Sequence, residues 1–172
     1  MDSDDRLARR AAQGDSAAFG ALVRAHEGRV RRFIARLVCG EGADDIAQDV
    51  FVKAWRMRAQ WRDDGRYGAW LMGIAWTSFL DFRRVQARHA RGDALGLDRE
   101  GPQTQAEEAI DVARAMAGLD ERTRAAAQLC LGEGYSHSEA ADILQMPLGT
   151  LKSIVARARV QLALALEKNH GR

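Results

Sequence analysis

Aromatic rings and arginine side chains alternate within one short stretch of the sequence. All four Trp residues and Tyr67 fall within 22 residues, with arginines among them and just after them. Rings beside guanidinium groups form a surface on which unstacked bases can sit, each stacking contact contributing roughly 1–3 kcal/mol. Aromatics at helical spacing can equally belong to a core, which we expect of Trp55 and Trp70. Trp61 and Tyr67 lie in a polar loop and favour base stacking, whereas Trp76 fits either role.

A second group of residues predicts a helix-turn-helix near the C-terminus. Ser136 and Glu139 have the spacing of a capping box, in which each side chain satisfies an amide at the start of a helix. Pro147 then falls where it can open another helix. The small residues Ala140 and Ala141 allow the two helices to cross closely. In such a motif the second helix enters the major groove of DNA with its N-terminal turns leading.

The second helix of this motif carries the candidates for DNA contact. Leu151, Val155 and Ala158 are expected to face inward. The residues available to DNA are then Gly149, Thr150, Lys152, Ser153, Ala156, Arg157 and Arg159. The free amides of the first turn also suit a phosphate oxygen. The alternative is a solvated surface helix with a few arginines that touches no DNA.

Helical periodicity extends over most of the chain. Asp15 is a good N-cap for an apolar stripe that runs from residue 19 to residue 38. Further stripes cover 46–55 and 70–82, and the Asp and Gly content of 61–68 predicts a loop between them. No segment of useful length alternates with a period of two. The predicted fold class is all-α.

Composition divides the chain into two small helical domains. The segment 92–106 is rich in Gly and polar residues, which predicts a flexible linker between a domain at 1–91 and a domain at 107–172. Lys and Arg outnumber Asp and Glu in 1–91 and again in 145–172, while the acidic residues are in excess between them. Two positive zones therefore lie on either side of an acidic one.

Several function classes are excluded by what the sequence lacks. No phosphate-binding loop or catalytic motif is present and the four His residues are scattered, so we expect no enzyme activity, no metal, no cofactor and no small-molecule substrate. No run of about 18 apolar residues exists, and the acidic N-terminus precedes no apolar segment, so we expect a cytoplasmic protein without membrane insertion. Cys39 and Cys130 are expected to be reduced and buried, although a redox role for Cys39 stays open.

Taken together, these residues resemble the extracytoplasmic-function (ECF, group 4) sigma factors of bacterial RNA polymerase, within the sigma-70 family. Residues 43–55 resemble the segment that binds the β′ coiled coil of the core polymerase. Residues 68–84 resemble the helix that, with the preceding loop, melts and reads the −10 promoter element. Residues 119–122 and 134–159 resemble the domain that contacts the β flap and reads the −35 element.

The resemblance assigns roles to individual residues. Those implied for binding the core polymerase are Asp45, Gln48, Asp49, Phe51 and Trp55, although the acidic side of this helix could equally be a solvated face. Those implied for the −10 element are Trp61, Arg62, Arg66, Tyr67, Trp76, Thr77, Arg83 and Arg84. The candidates on the second helix of the helix-turn-helix are implied to read the −35 element. The family is also normally held inactive by an anti-sigma factor.

The sequence departs from the family at a few positions. The family usually has a basic residue where Trp76 stands, Asn at Thr77, and often Arg at Ile154 and a polar residue at Ala156. A Gly is common at the helix-turn-helix bend, where Gln145 implies mild strain or a slightly different turn.

Two other functions remain open. One is a module that mimics a sigma factor and sequesters an anti-sigma factor without engaging promoters. The other is a stand-alone helix-turn-helix regulator, which would leave the first 90 or so residues without a role.

Overall fold

The computed structural model describes residues 3–38, 41–63, 65–92 and 114–170. These residues form helices and include no strand, so the all-α prediction is confirmed. The first four helices are α1 (Ser3–Ala12), α2 (Ser16–Val38), α3 (Ala43–Met57) and α4 (Tyr67–Gly92), with a 3-10 turn at Arg58–Gln60. Residues 114–117 are also helical, and the remaining elements are α5 (Glu121–Ala127), a π turn (Gln128–Gly132), α6 (His137–Ile143) and α7 (Leu148–His170).

The chain divides into two compact units. The first comprises Met1–Ile34 and Glu41–Leu97, and the second comprises Ala35–Gly40 and Asp98–Arg172. The predicted first domain included residues 35–40, which group instead with the second unit. Apart from Gly92, which ends α4, the predicted linker lies outside the described residues.

The first unit is built on apolar stripes that the sequence shows. Asp15 caps α2 by accepting a hydrogen bond of 2.9 Å from the Ala18 amide, and Leu22, Val30 and Phe33 on that helix are fully buried. The helices α3 and α4 pack against each other. The helix α1 was not predicted, because charged residues dominate it and its buried contacts come chiefly from small side chains such as Ala8.

The second unit depends on polar caps as well as on apolar burial. Asp120 accepts a hydrogen bond from the Thr123 amide at the start of α5, as predicted. Arg124 is only 8% exposed, and its guanidinium donates to the carbonyls of Met116, Ala117 and Leu119. These bonds supply donors to carbonyls at the end of the preceding helical turn, where the Met116 carbonyl also accepts from the Leu119 amide.

The helix-turn-helix has the predicted form. Ser136 and Glu139 make both hydrogen bonds of the capping box at the start of α6. The helices α6 and α7 pack together, with Ala140 and Ala141 buried on α6. Gln145, in the bend between them, has a φ of 53°, a left-handed conformation that favours Gly. The strain expected at this position is therefore present.

Candidate functional site

The outer face of α7 presents every residue predicted to contact DNA at the −35 element. All seven residues are exposed, namely Gly149, Thr150, Lys152, Ser153, Ala156, Arg157 and Arg159. The inner positions Leu151, Val155 and Ala158 are buried, which confirms the expected orientation of the helix. The first hydrogen bond of α7 joins the Leu151 amide to the Pro147 carbonyl, so the amides before it point out of the helix end.

Details of α7 limit what its side chains can read. Ile154 is buried, so this position adds to the core and offers nothing to a groove. The Ser153 hydroxyl donates to the Gly149 carbonyl at 3.0 Å, which leaves it as an acceptor toward a base. Leu148 is 41% exposed beside the predicted contacts and was not singled out, although it directly follows Pro147. The exposed face therefore combines cations with apolar groups.

The residues predicted to bind core polymerase lie on one side of α3. Asp45, Gln48 and Asp49 are exposed, while Phe51 is half-buried. Val52 is 47% exposed and lies one turn beyond Asp49 on the same side of the helix. Val52 was not among the residues predicted from the sequence, although its spacing from Asp49 could have indicated it. An apolar side chain with acidic neighbours suits a partner that is both basic and apolar.

Trp55 is held against its own unit rather than projecting from it. Its ring lies 5.1 Å from that of Phe19, and the Arg58 guanidinium lies 4.1 Å from the Trp55 ring centroid. Arg58 also donates to the Trp55 carbonyl at 2.8 Å. The ring is half-buried, so one part of it belongs to the core and the other part is available to a partner.

Charged side chains connect the surfaces of α3 and α4. Lys53 Nζ lies 3.0 Å from Asp49 Oδ2 and 3.6 Å from Asp81 Oδ2, and it donates to the Ser78 hydroxyl at 3.1 Å. Arg84 Nη1 lies 3.1 Å from the other oxygen of Asp81. The acceptor Asp49 is therefore partly neutralised by Lys53 before any partner approaches.

The expectation that loop aromatics form an open stacking surface is wrong. Trp61, Tyr67 and Trp76 are only 8%, 4% and 1% exposed. The rings pack on one another, with 6.1 Å between the centroids of Trp61 and Tyr67 and 5.6 Å between those of Trp76 and Phe79. Burial, with a smaller contribution from the charge of Asp4, raises the pKa of Tyr67 well above its usual value. These rings are buried because the surrounding loop and helices enclose their large apolar surface.

The remaining −10 candidates form a cationic surface. Arg62, Arg66, Arg83 and Arg84 are exposed. Thr77 is half-buried, and its hydroxyl donates to backbone carbonyls of the preceding turn, at 3.1 and 3.0 Å. Tyr67 belongs to the first turn of α4 rather than to the predicted loop. In this conformation the guanidinium groups of these four arginines are exposed, while the three predicted rings are buried.

Neither a metal-binding cluster nor a membrane-spanning helix is present in the part of the chain that the structure describes. Within those residues, no three His, Cys, Asp or Glu side chains group as a metal site, and no helix is long and apolar enough to cross a membrane. Burial raises the pKa of the half-buried Cys130 thiol, opposed by the charge of Arg159. Cys39, for which a redox role was left open, lies outside the described residues.

Comparison with known proteins identifies both units. The Sigma-70 region 2 family matches residues 22–89, and the Sigma-70, region 4 family matches residues 109–162. The RNA polymerase sigma factor NccH of Alcaligenes xylosoxydans xylosoxydans is 35% identical over 96% of each chain. The ECF RNA polymerase sigma factor SigM of Mycobacterium tuberculosis is 35% identical, over 95% of this chain and 85% of its own. The chain belongs to the ECF sigma factors.

A solved structure of a sigma factor has a similar fold. The sigma factor RpoE of Bartonella quintana, crystallised in complex with the anti-sigma factor NepR, has a TM-score of 0.81 and 26% identity, covering 87% of this chain and 96% of its own. In the present chain, the region 2 match takes in α3, the loop between α3 and α4, and most of α4. The region 4 match takes in α5, α6 and the N-terminal turns of α7. As a sigma factor, the protein directs RNA polymerase in transcription initiation.

Proposed function

We propose that this sigma factor is a non-catalytic subunit that acts in the cytoplasm and contacts promoters through two separate surfaces. The outer face of α7 binds the −35 element in the major groove. Arg62, Arg66, Arg83 and Arg84 bind the −10 element as its strands separate. Catalysis belongs to the polymerase, and the sigma factor contributes binding energy and promoter choice.

The observation that carries this proposal is the division of α7 into two faces. Lys152, Arg157 and Arg159 are exposed on the helix surface that the buried Leu151, Val155 and Ala158 leave open. A capped, tightly turned helix pair then holds this basic face outward, which is the arrangement needed to insert a helix into the major groove. Phosphate contacts orient such a helix, and side chains near its N-terminus read the bases.

We propose that α3 binds the β′ coiled coil of core polymerase through Asp45, Gln48, Asp49 and Val52. The polar groups steer and orient a basic partner helix, while burial of Val52 and of the open parts of Phe51 and Trp55 adds affinity. The family resemblance assigns contact with the β flap of the polymerase to the region 4 unit.

We propose further that an anti-sigma factor controls the protein. The structural relative bound to its anti-sigma factor supports this assignment. A sigma mimic would share this partner, and the burial of Trp61, Tyr67 and Trp76 is the observation that favours it, because fewer groups face DNA than the sequence predicted.

Run-off transcription from genomic DNA tests the proposed function. Purified protein is added to bacterial core polymerase on fragmented host DNA, and the 5′ ends of the transcripts are sequenced. We expect discrete start sites preceded by two spaced elements. Core polymerase alone and the variant Lys152→Ala/Arg157→Ala are the controls. Binding to an anti-sigma factor without core binding or new start sites would instead establish the mimic.

A further inference from the structure

The helix α1 lies against the loop that precedes α4. Arg9 Nε lies 3.0 Å from Asp63 Oδ2, which joins the helix to the middle of the loop. Near the end of the loop, a β-carbon added at Gly65 would lie 3.6 Å from Asp5 Oδ2. Asp5 is itself buried. The loop backbone therefore passes directly over the N-terminal half of α1.

Buried rings hold both ends of the same loop. Trp61 begins it and Tyr67 follows it, and the two rings meet edge to face. Beneath them, the buried His26 ring lies 5.6 Å from the Tyr67 ring, and its Nε2 lies 3.0 Å from Asp4 Oδ2. The helix α1 thus contacts the middle of the loop directly and the base of the loop through His26.

The cationic side chains of this loop face outward. Arg62 and Arg66 are both exposed. Arg62 directly follows the buried Trp61, and Arg66 directly precedes the buried Tyr67. A loop fixed at its ends and at its middle loses little conformational entropy when it binds a ligand. The contacts with α1 therefore matter for binding even though α1 itself presents no predicted DNA contact.

We propose that α1 is a positioning element for this loop, and that the Arg9–Asp63 ion pair holds Arg62 and Arg66 in the arrangement that captures the opened −10 strand. The inference rests on the proposed role of the loop in −10 recognition. Arg9 and Asp63 act through the loop and contact no base.

The expected effect is modest, because the pair is partly exposed. Pairs of this kind contribute up to about 1 kcal/mol, which corresponds to a change of up to about fivefold in affinity. The chain offers a matched control on the same helix. Arg10 Nη2 lies 2.7 Å from Asp15 Oδ2, a second partly exposed pair that joins α1 to the start of α2 and not to the loop.

The test measures binding of a labelled single-stranded −10 oligonucleotide to the sigma factor assembled with core polymerase. We expect Arg9→Ala and Asp63→Asn each to weaken strand binding by up to about fivefold, and the double variant to be no weaker than either single variant. Arg10→Ala should bind the strand like the wild type. The reversed pair, Arg9→Asp with Asp63→Arg, should recover part of the loss.

Two further measurements separate positioning from a general loss of stability. Melting temperatures and core affinities should be the same for Arg9→Ala and Arg10→Ala. Equal strand binding by these two variants would overturn the proposal, as would additive losses for Arg9→Ala and Asp63→Asn. A wild-type complex that starts transcription but never binds the −10 strand would remove the role of the loop and this inference with it, leaving the −35 assignment intact.

Discussion

Gln145 shows how a single backbone conformation affects a whole motif. Its φ of 53° places a side-chain-bearing residue in the left-handed region, which costs about 1–2 kcal/mol relative to a helical conformation. The side chain is exposed, so no packing compensates for this cost. The turn persists because α6 and α7 are packed together on both sides of it.

Replacing Gln145 with Gly should therefore stabilise the protein. We expect a gain of about 0.5–1 kcal/mol in the free energy of unfolding, because relief of strain exceeds the added freedom of the unfolded chain. Denaturant unfolding measures the gain. Gln145→Ala is the matched control and should show none of it, and a Gly variant no more stable than the Ala variant would contradict the prediction.

Asp120 couples the stability of α5 to pH. The Thr123 hydroxyl donates to its carboxylate at 2.6 Å, and this bond, together with the amide bonds of the helix start, holds the pKa of Asp120 below its usual value of 3.8. A carboxyl group whose pKa is lowered by folding stabilises the folded state above the unfolded pKa. That contribution is lost as the pH falls through the folded pKa.

We expect Asp120→Ala to cost about 1 kcal/mol at neutral pH, and the cost to shrink below about pH 4. Asp120→Asn keeps an oxygen acceptor without a titrating proton, so its stability should change less with acidification than that of the wild type. Urea unfolding at several pH values measures both effects. A cost for Asp120→Ala that is the same at pH 3 and pH 7 would be inconsistent with this role.

At the scale of elements, we expect α7 to act as a unit whose exposed cations contact phosphates. Lys152→Ala and Arg157→Ala should each weaken binding to the −35 element and reduce the slope of log affinity against log salt by about 0.9. Footprinting and salt titration of the assembled polymerase measure these changes. Arg114→Ala removes an exposed cation from the same unit, outside the residues that resemble the flap-binding and DNA-binding segments, and should leave the affinity and the slope unchanged. Footprints that survive both α7 substitutions would show that the recognition helix is misassigned.

The α3 face should behave as a unit in core binding. We expect Asp45→Ala with Asp49→Ala to weaken core affinity by up to about thirtyfold without unfolding the protein, since each exposed charge contributes up to about 1 kcal/mol. Part of the Asp49 effect comes from releasing Lys53. Asp44→Ala is the control, because that carboxylate pairs with Arg31 at 3.3 Å. Unchanged affinity in a binding titration would remove the acidic face from the core interface.

At the scale of the whole molecule, two surfaces on separate units should control separate steps. Arg62→Ala with Arg66→Ala should slow promoter opening, seen as lower permanganate reactivity of promoter thymines, and spare the footprint over the −35 element. The α7 variants should lose the footprint first. Arg24→Ala, an exposed cation of α2, is the control for net charge. Normal thymine reactivity in the double variant would contradict a role for this loop in opening.

Much of the architecture could be predicted because it depends on local patterns. The caps at Asp15, Asp120 and Ser136 and the inward face of α7 follow from spacing alone. The burial of Trp61 and Tyr67 could not, because loop composition does not show which elements will cover a loop. The covering element, α1, was missed because charged residues dominate it and its buried face consists chiefly of small Ala side chains. The site was therefore predicted best where its residues lie on one helix.

The clustering of all four Trp residues has a spectroscopic consequence. Every indole lies in the first unit, and the second unit contains none. Intrinsic tryptophan emission thus reports on the first unit alone, with Trp61 and Trp76 shielded from water and Trp55 partly open to it. Shifts of the emission wavelength and quenching on addition of polymerase or promoter strands would report on that unit without any attached dye. The proposed binding of DNA by α7 would give no direct tryptophan signal.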